Sequence, residues 1–495
     1  MRQTLRLAAL LALAQGCSGR ETASDPKRPN VLVIFTDDQR WDALSAAGHP
    51  FLKTPHLDRL AREGVRFTNA FCTTSLCSPS RASMLSGLYA HAHGVLNNFT
   101  DFPDALPSYP KRLRESGYET AYVGKWHMGE ASDDPRPGFD FWMSHKGQGN
   151  YFDTAFNING TRDVLKGYYT TRVTEKAIEW LRKPRSKPFC LILGHKASHG
   201  PFHPEPKYDK TFAATEIRRP ATAADYGPVK PAWVKERVTT WHGIDGPIYK
   251  ACGFKDYEDF VRGYYATLLS VDDSVGQLYA ALESMGVLED TLLVFTTDNG
   301  FLLGEHGAVD KRAMWEESIR VPMIVRYPRL VSGPKLVHEM VLHIDLAPSI
   351  LEICGARPLE KVHGMSWKRL LEGRTTPWRE SWFYAYDYEK EFPYTPNVRG
   401  IRTKEWKFIH YPHGDGGPDR HKAELYNLRA DPLETQNLIH DAASARTLED
   451  LRAQLTALMQ SVGALPDRMP LDDGIKQTLP AGVHQAVEKS GEPKK

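Results

Sequence analysis

Five short apolar runs, each stopping abruptly at charged or polar residues, constrain this chain more than any other feature. Residues 31–35 stop at Thr36-Asp37-Asp38, and 121–123 stop at Gly124-Lys125-Trp126-His127. Residues 190–193 stop at Gly194-His195-Lys196 and, shortly after, His199. Residues 292–295 stop at Thr296-Thr297-Asp298-Asn299-Gly300, and 323–325 stop at Arg326. Runs that are apolar throughout, without polar alternation, read as strands buried on both faces. Between them lie helical patterns over 171–181 and 264–282, the second with apolar residues at 264, 265, 268, 269, 271, 275, 278, 279 and 282. Strands alternating with helices give an α/β fold, a mostly parallel sheet covered on both sides. Ligands of such sheets sit beyond the carboxyl ends of the strands. Asp37, Asp38, Lys125, His127, His199, Asp298 and Asn299 all fall at those ends.

Composition narrows the function classes. Lys+Arg is 63 and Asp+Glu is 61 in 495 residues, a formal charge of +2, without the basic excess of a chain that binds nucleic acid. An apolar fraction of 41% and a charged fraction of 25% exclude a mostly disordered chain and a multi-span membrane protein. Six cysteines are too few for a disulfide scaffold. Cys72, Cys190, Cys252 and Cys354 lack zinc-ligand spacing, and Cys190 falls in an expected buried strand as an inert thiol.

Asp37-Asp38 and Asp298-Asn299 are two pairs at the ends of two strands. If those strands are neighbours, three carboxylates and one amide oxygen converge. Unit charges about 4 Å apart interact with ~4 kcal/mol at an effective dielectric near 20, so three unneutralised carboxylates would strain the site. A bound cation relieves the strain, and all-oxygen ligation selects a hard ion, Ca²⁺ or Mg²⁺, over zinc. Taken singly, each Asp also fits a turn or a helix cap.

The sharpest signal is Ser75-Leu76-Cys77-Ser78-Pro79-Ser80-Arg81-Ala82-Ser83-Met84-Leu85-Ser86-Gly87. Cys77 sits before a turn, Ser78-Pro79, that opens a helix with proline in its first turn. The helix amides and Arg81 would stabilise an anion at that spot. A reactive thiol or a merely capped helix would use the same residues.

Cys77-Ser78-Pro79-Ser80-Arg81 resembles the Cys-x-Pro-x-Arg signature of the type I, formylglycine-dependent sulfatases of the alkaline phosphatase-like superfamily. Gly87-Leu88-Tyr89-Ala90-His91-Ala92-His93-Gly94-Val95 continues that pattern, and 117–127, ending in Gly124-Lys125-Trp126-His127, resembles the second family signature. Thr297-Asp298-Asn299-Gly300, the block 310–322 and the block 424–438 are similar to later family blocks, in order. The resemblance runs from about Pro29 to about Leu438.

The resemblance implies an α/β/α sandwich with a mostly parallel central sheet, plus a smaller C-terminal α+β domain with a short antiparallel sheet. It implies that Cys77 is oxidised to formylglycine (3-oxoalanine) by a formylglycine-generating or anaerobic sulfatase-maturating enzyme. One hydroxyl of the hydrated aldehyde would attack the sulfur of a sulfate ester. Asp37, Asp38, Asp298 and Asn299 would hold one Ca²⁺, with position 77 completing the shell. Arg81 would stabilise the ionised hydroxyl, and Lys125 and Lys311 would grip sulfate oxygens. His199 would protonate the departing alcohol, and His127 would take the proton from the second hydroxyl as sulfate leaves. A serine could not finish that cycle, because its sulfate ester has no second hydroxyl from which to eliminate. His195 and Lys196 are left between a supporting and a substrate-contacting role. His91 and His93, two apart on a helix, point apart, which favours core or supporting use. Asp272-Asp273 read as solvent-facing or capping residues.

Residues 1–17 read as an export signal, with Arg2 and Arg6 before a short apolar stretch, and Gly16-Cys17 resembles a bacterial lipoprotein cleavage site. The expectation is an exported protein, periplasmic or anchored to the membrane only through lipid on Cys17. Residues 18–28 read as a tether, 29–373 as the catalytic domain, 378–470 as the C-terminal subdomain and 481–495 as a loose tail. Trp233, Trp241, Tyr226 and Tyr249, in the poorly periodic stretch 201–255, are expected to wall a sugar pocket with Tyr386, Tyr388 and Arg399. The expected substrate is a sulfated carbohydrate, with N-acetylglucosamine-6-sulfate the specific choice. Two alternatives stand: a formylglycine-dependent phosphodiesterase or phosphonate monoester hydrolase, and a non-catalytic surface glycan-binding protein.

Overall fold

A computed structural model describes residues 28–331, 333–416 and 419–477. The expected leader, tether, Cys17 and tail lie outside the described residues, apart from Arg28. All five apolar runs are strands of one large sheet. In chain order its first eight strands are β1 (Asn30–Thr36), β2 (Val65–Phe71), β3 (Glu119–Gly124), β4 (Phe141–Ser144), β5 (Phe152–Ile158), β6 (Thr161–Tyr168), β7 (Phe189–Gly194) and β8 (Thr291–Thr297). A short hairpin, β9 (Leu302–Leu303) and β10 (Val309–Asp310), precedes three more sheet strands, β11 (Arg320–Arg326), β12 (Lys335–Val337) and β13 (Val341–Leu342). The spatial order is β12-β2-β11-β8-β1-β7-β3-β4-β5-β6, with β13 also paired to β2.

The strands β8, β1, β7 and β3 are consecutive and mutually parallel, so their carboxyl ends open on one edge. Alternate residues of β1 divide between two apolar clusters. Val31, Val33 and Phe35 face the helices Tyr109–Glu115 and Leu346–Ile353, while Leu32 and Ile34 face Tyr169–Leu181 and Tyr257–Ser284. Both faces of the sheet are therefore covered, which is why the strand sequences carry no polar alternation. One detail departs from expectation. β11 runs antiparallel to β8 and β2, so Arg326 ends at the opposite edge, bonded to Glu63 and Glu289. An apolar run carries no mark of strand direction.

The sequence 381–427 forms a four-stranded antiparallel sheet from β14 (Ser381–Tyr386), β15 (Val398–Thr403), β16 (Trp406–His410) and β17 (Glu424–Asn427). The helix Ala445–Ser461 packs on it through Leu451, Leu455 and Met459. This sheet shares its core with the larger unit: Trp382, Ile401 and Leu425 lie in the same buried cluster as Phe71, Leu76 and Trp315. At Gly400 the approach is so close that an added Cβ would lie 2.1 Å from Met314 Sδ. Among the described residues, all cysteines are free and buried.

Candidate active site

Each expected site residue follows the carboxyl end of one of the four parallel strands or an adjoining element. Asp37 and Asp38 leave β1, Lys125 and His127 leave β3, Lys196 and His199 leave β7, and Asp298 and Asn299 leave β8. Asp38 and His127 take φ of 59° and 45°, a region that costs a non-glycine residue about 1–2 kcal/mol. Asp38 is held there by Tyr264, whose hydroxyl donates to its carbonyl at 2.8 Å. The fully buried helix Cys77–Ser86 presents Cys77 at its first turn, and Ser80 Oγ ties that turn to the Asp298 carbonyl at 2.5 Å. Lys311 arrives directly after the β9–β10 hairpin.

The two acidic pairs do converge. One oxygen each of Asp37, Asp38 and Asp298 lie within 4.8 Å of one another, and a second such group joins Asp37, Cys77 and His199. Cys77 Sγ is 3.5 Å from Asp37 Oδ1 and 3.0 Å from Lys311 Nζ. Arg81 donates from Nη2 to Asp37 at 2.7 Å, from Nε to Asp298 at 2.8 Å and from Nη1 to the Lys125 carbonyl at 2.5 Å. Lys125 Nζ bonds Asp37, and Lys311 Nζ bonds Asp38 at 2.5 Å. His199 Nδ1 lies 2.8 Å from the Gly200 carbonyl, which as an acceptor fixes the proton there, and Nε2 lies 3.9 Å from Asp38 Oδ2.

This geometry corrects the charge argument. The carboxylates are not unneutralised, because Arg81, Lys125 and Lys311 supply three positive charges. Burial would raise Asp37, but Lys125 and Arg81 overrule it and hold the carboxyl well below the usual range. Burial pushes Asp38 up to about 7, against Lys311 and with help from the charges of Asp37 and Asp298. What fits a hard cation is therefore placement: three carboxylates sharing one small volume, and the buried Asn299 Oδ1, which has no hydrogen-bond partner among the described residues.

The remaining groups divide clearly. Burial, then the charges of Lys125 and Arg81, hold His127 well below the usual imidazole range. Burial, then Lys125, does the same to His199. Burial raises the Cys77 thiol, so as an unmodified cysteine it is a poor nucleophile here. His195 points under the sheet to Ser274, at 3.2 Å, and does not join the cluster. His93 bonds Ser83 at 3.1 Å, His91 reaches the Val462 carbonyl, and neither approaches the carboxylates. Asp272 is buried and accepts from the backbone N–H groups of His56 and Leu57, capping the helix Pro55–Glu63. Asp273 pairs with Lys207.

Above the cluster lies a cavity of about 850 Å³, lined in part by Asp38, Lys311, His199, Gln148, Trp241 and Phe392. Of the expected sugar-pocket residues, only Trp241 lines it. Trp233 is buried against Trp315, Tyr386 bonds Glu389, and Arg399 is spent on Asp387 and Asp467. Tyr226, Tyr249 and Tyr388 likewise lie elsewhere, and Phe392 is the aromatic ring that the C-terminal sheet region contributes. A larger cavity of about 1160 Å³ adjoins at Asn150 and Ala155 but contains none of the catalytic candidates. Gln148, which touches both Lys125 and His127, was not singled out by the sequence; its flanking glycines, Gly147 and Gly149, are the signal that marks a built loop there.

Lysines and arginine facing a buried position 77 suit transfer of a tetrahedral oxyanion group, and fold and site together define a hydrolase of that class. A family model described as sulfatase matches residues 29–356, and one described as N-sulphoglucosamine sulphohydrolase, C-terminal, matches residues 304–461. The chain belongs to the sulfatase family and is a sulfuric ester hydrolase. It is 32% identical to an N-acetylglucosamine-6-O-sulfatase of Bacteroides thetaiotaomicron, across 89% of this chain and 88% of that protein. A solved structure in complex with its substrate D-glucosamine-2-N,6-O-disulfate superposes with TM-score 0.82 and 30% identity, covering 89% of this chain and 99% of the other. A phosphonate monoester hydrolase of Agrobacterium radiobacter shares the fold at TM-score 0.74 and 23% identity, covering 88% and 96%.

Proposed function

We propose that this sulfatase removes sulfate from a sulfated carbohydrate, specifically the 6-O-sulfate of N-acetylglucosamine or glucosamine units. Support comes from the relative named for the first sugar and the solved structure holding the second, together with a cavity large enough for more than one sugar ring. The observation that carries the reading is the position of Cys77, within reach of Asp37 and Lys311 and one helical turn from Arg81.

In this reading Asp37, Asp38, Asp298 and Asn299 hold one Ca²⁺, which supplies Lewis-acid polarisation of sulfuryl oxygens. Cys77, oxidised by a maturating enzyme to formylglycine, supplies a hydrated aldehyde with two hydroxyls. Arg81 favours the ionised form of one hydroxyl. Lys125 and Lys311 turn from their carboxylates to hold the sulfate oxygens in line. As the S–O bond to the sugar breaks, His199 gives the alcohol a proton from Nε2, since its Nδ1 proton stays on the Gly200 carbonyl. The arriving sulfate monoanion raises the proton affinity of His199, which is neutral without it. His127 then takes the proton of the remaining hydroxyl as the C–O bond to sulfate breaks. Export through residues 1–17 and a lipid anchor on Cys17 complete the proposal; a Cys17→Ser chain that stays fully membrane-bound would dismiss the anchor.

Release of inorganic sulfate from glucosamine and N-acetylglucosamine carrying sulfate at single known positions tests the reading. Cleavage at O6 above O3 and N is expected. Preference for phosphate diesters or phosphonates over sulfate esters of one alcohol would instead favour the phosphonate hydrolase alternative. An unoxidised thiol at Cys77 throughout the native protein would favour the glycan-binding alternative.

A further inference from the structure

We propose that Gln148 is a positioning residue of this reaction: its amide links Lys125 to His127 and fixes which ring nitrogen of His127 carries the proton. The inference rests on the roles of Lys125 and His127 set out above. Lys125 Nζ can only donate, so the Gln148 oxygen, Oε1, must be the end of the amide that faces it. The other end, Nε2, then lies 3.2 Å from His127 Nε2. An amide NH₂ has nothing to accept with, so at 3.2 Å it makes His127 Nε2 the bare nitrogen, while the Glu130 carboxylate, 3.7 Å from the same nitrogen, lies beyond hydrogen-bond distance. In the neutral ring the proton therefore sits on Nδ1, and the ring can accept a second proton only at Nε2. Among the described residues, Nδ1 is buried without a hydrogen-bond partner, so that N–H is available to a group the bare chain does not contain.

The loop is built to hold this amide. Gly147 and Gly149 take φ of 57° and 66°, and a Cβ on Gly149 would lie 2.5 Å from the His145 ring. His145 is itself anchored, 2.9 Å from the Tyr169 hydroxyl. Lys196, buried and among the described residues facing no carboxylate within ion-pair distance, donates to the Gln148 carbonyl at 3.3 Å and to the Gly200 carbonyl at 3.5 Å. The Gly200 carbonyl also takes the His199 Nδ1 proton. Lys196 Nζ thus braces both the loop that orients His127 and the turn that orients His199.

The test uses the full, matured chain labelled with [¹⁵N]histidine, with His127→Asn to identify the His127 signals. Without substrate, the wild type is expected to show a protonated Nδ1 and a bare Nε2. Gln148→Glu, whose carboxylate accepts from both neighbours, is expected to move the proton to Nε2. Gln148→Leu is expected to lose the preference and to lower kcat by about 10–100-fold while KM holds, by analogy with the cost of removing a partner that orients a metal-bound imidazole. A wild-type His127 protonated at Nε2, or the same tautomer in the wild type and Gln148→Leu, overturns the proposal. The wild-type spectrum decides even if a variant does not fold. Because the tautomer is read without substrate, failure to desulfate any sugar would count against the proposed function and leave this result standing.

Discussion

Replacing Arg81 by Met keeps much of the stem and removes the guanidinium from the centre of the charge cluster. Three hydrogen bonds are lost, to Asp298, to Asp37 and to the Lys125 carbonyl, all between groups exposed by 1% or less. Two of them are buried ion pairs, and hydrogen bonds to charged groups contribute about 1.5–3 kcal/mol each. Asp37 keeps Lys125 as a partner, so its loss is softened. Among the described residues, Asp298 Oδ2 keeps no ion-pair partner, while Oδ1 retains the N–H groups of Asp38 and Asn299. The expected cost is therefore about 3–5 kcal/mol, the range for breaking a buried pair from one side. Urea unfolding at one fixed calcium concentration measures it, because a ligand bound only by the native state would otherwise shift the midpoint. Arg81→Lys is expected to recover only part, since one ammonium cannot span both carboxylates. An Arg81→Met chain within about 1 kcal/mol of the wild type, below the cost of even one buried charged bond, would refute the reasoning.

Other outcomes follow from the same geometry. Cys77→Ser is expected to stop after one turnover, with sulfate retained on the residue-77 peptide by mass spectrometry; sustained turnover would contradict the two-hydroxyl requirement. Removal of calcium by chelation is expected to abolish sulfate release, with recovery by Ca²⁺ or Mg²⁺ and not by Zn²⁺ at matched concentration. Trp241→Ala is expected to raise KM for a disaccharide, and an unchanged KM would remove Trp241 from the sugar-binding wall. Asp272→Ala is expected to lose about 1–3 kcal/mol of stability by leaving two helix N–H groups uncapped, without altering kcat. Burial also raises Asp272 from its usual 3.8 to about 6, against the two N–H groups. Between those values the folded state binds more protons than the unfolded one, so this group's contribution falls as pH rises from about 4 to 6. Unfolding of Asp272→Asn alongside the wild type should therefore favour the variant increasingly across that window.

Much of this site could be read from sequence because a parallel sheet puts chemistry where its apolar strands stop. Phe35, Val123, Leu193 and Phe295 are each followed within a few residues by a group that reaches the cluster. Other features left no comparable mark. β11 is as apolar as its neighbours, and nothing in Met323-Ile324-Val325 tells that it runs the other way. β2, with Arg66, Thr68 and Asn69 among its apolar residues, and β15, with Arg399 and Arg402, do not read as buried runs although both are paired on two sides. The charge balance was invisible because Arg81, Lys125 and Lys311 come from three distant segments and compensate carboxylates from two others. Aromatic content alone misled for Trp233 and Tyr386, which are buried in the core, the first stacked on Trp315 and the second bonded to Glu389. The Gln148 amide needs both of its neighbours in place before its role can be seen.

In the proposed mechanism a divalent ion and a two-oxygen side chain meet at position 77. A crystal structure of the mature enzyme grown with calcium tests this most directly. The prediction is one ion bound by oxygens of Asp37, Asp38 and Asp298 and by Asn299 Oδ1 at about 2.3–2.6 Å, with a hydrated aldehyde facing it. Lysines still resting on the carboxylates with no ion between them, beside an unaltered thiol, would contradict it.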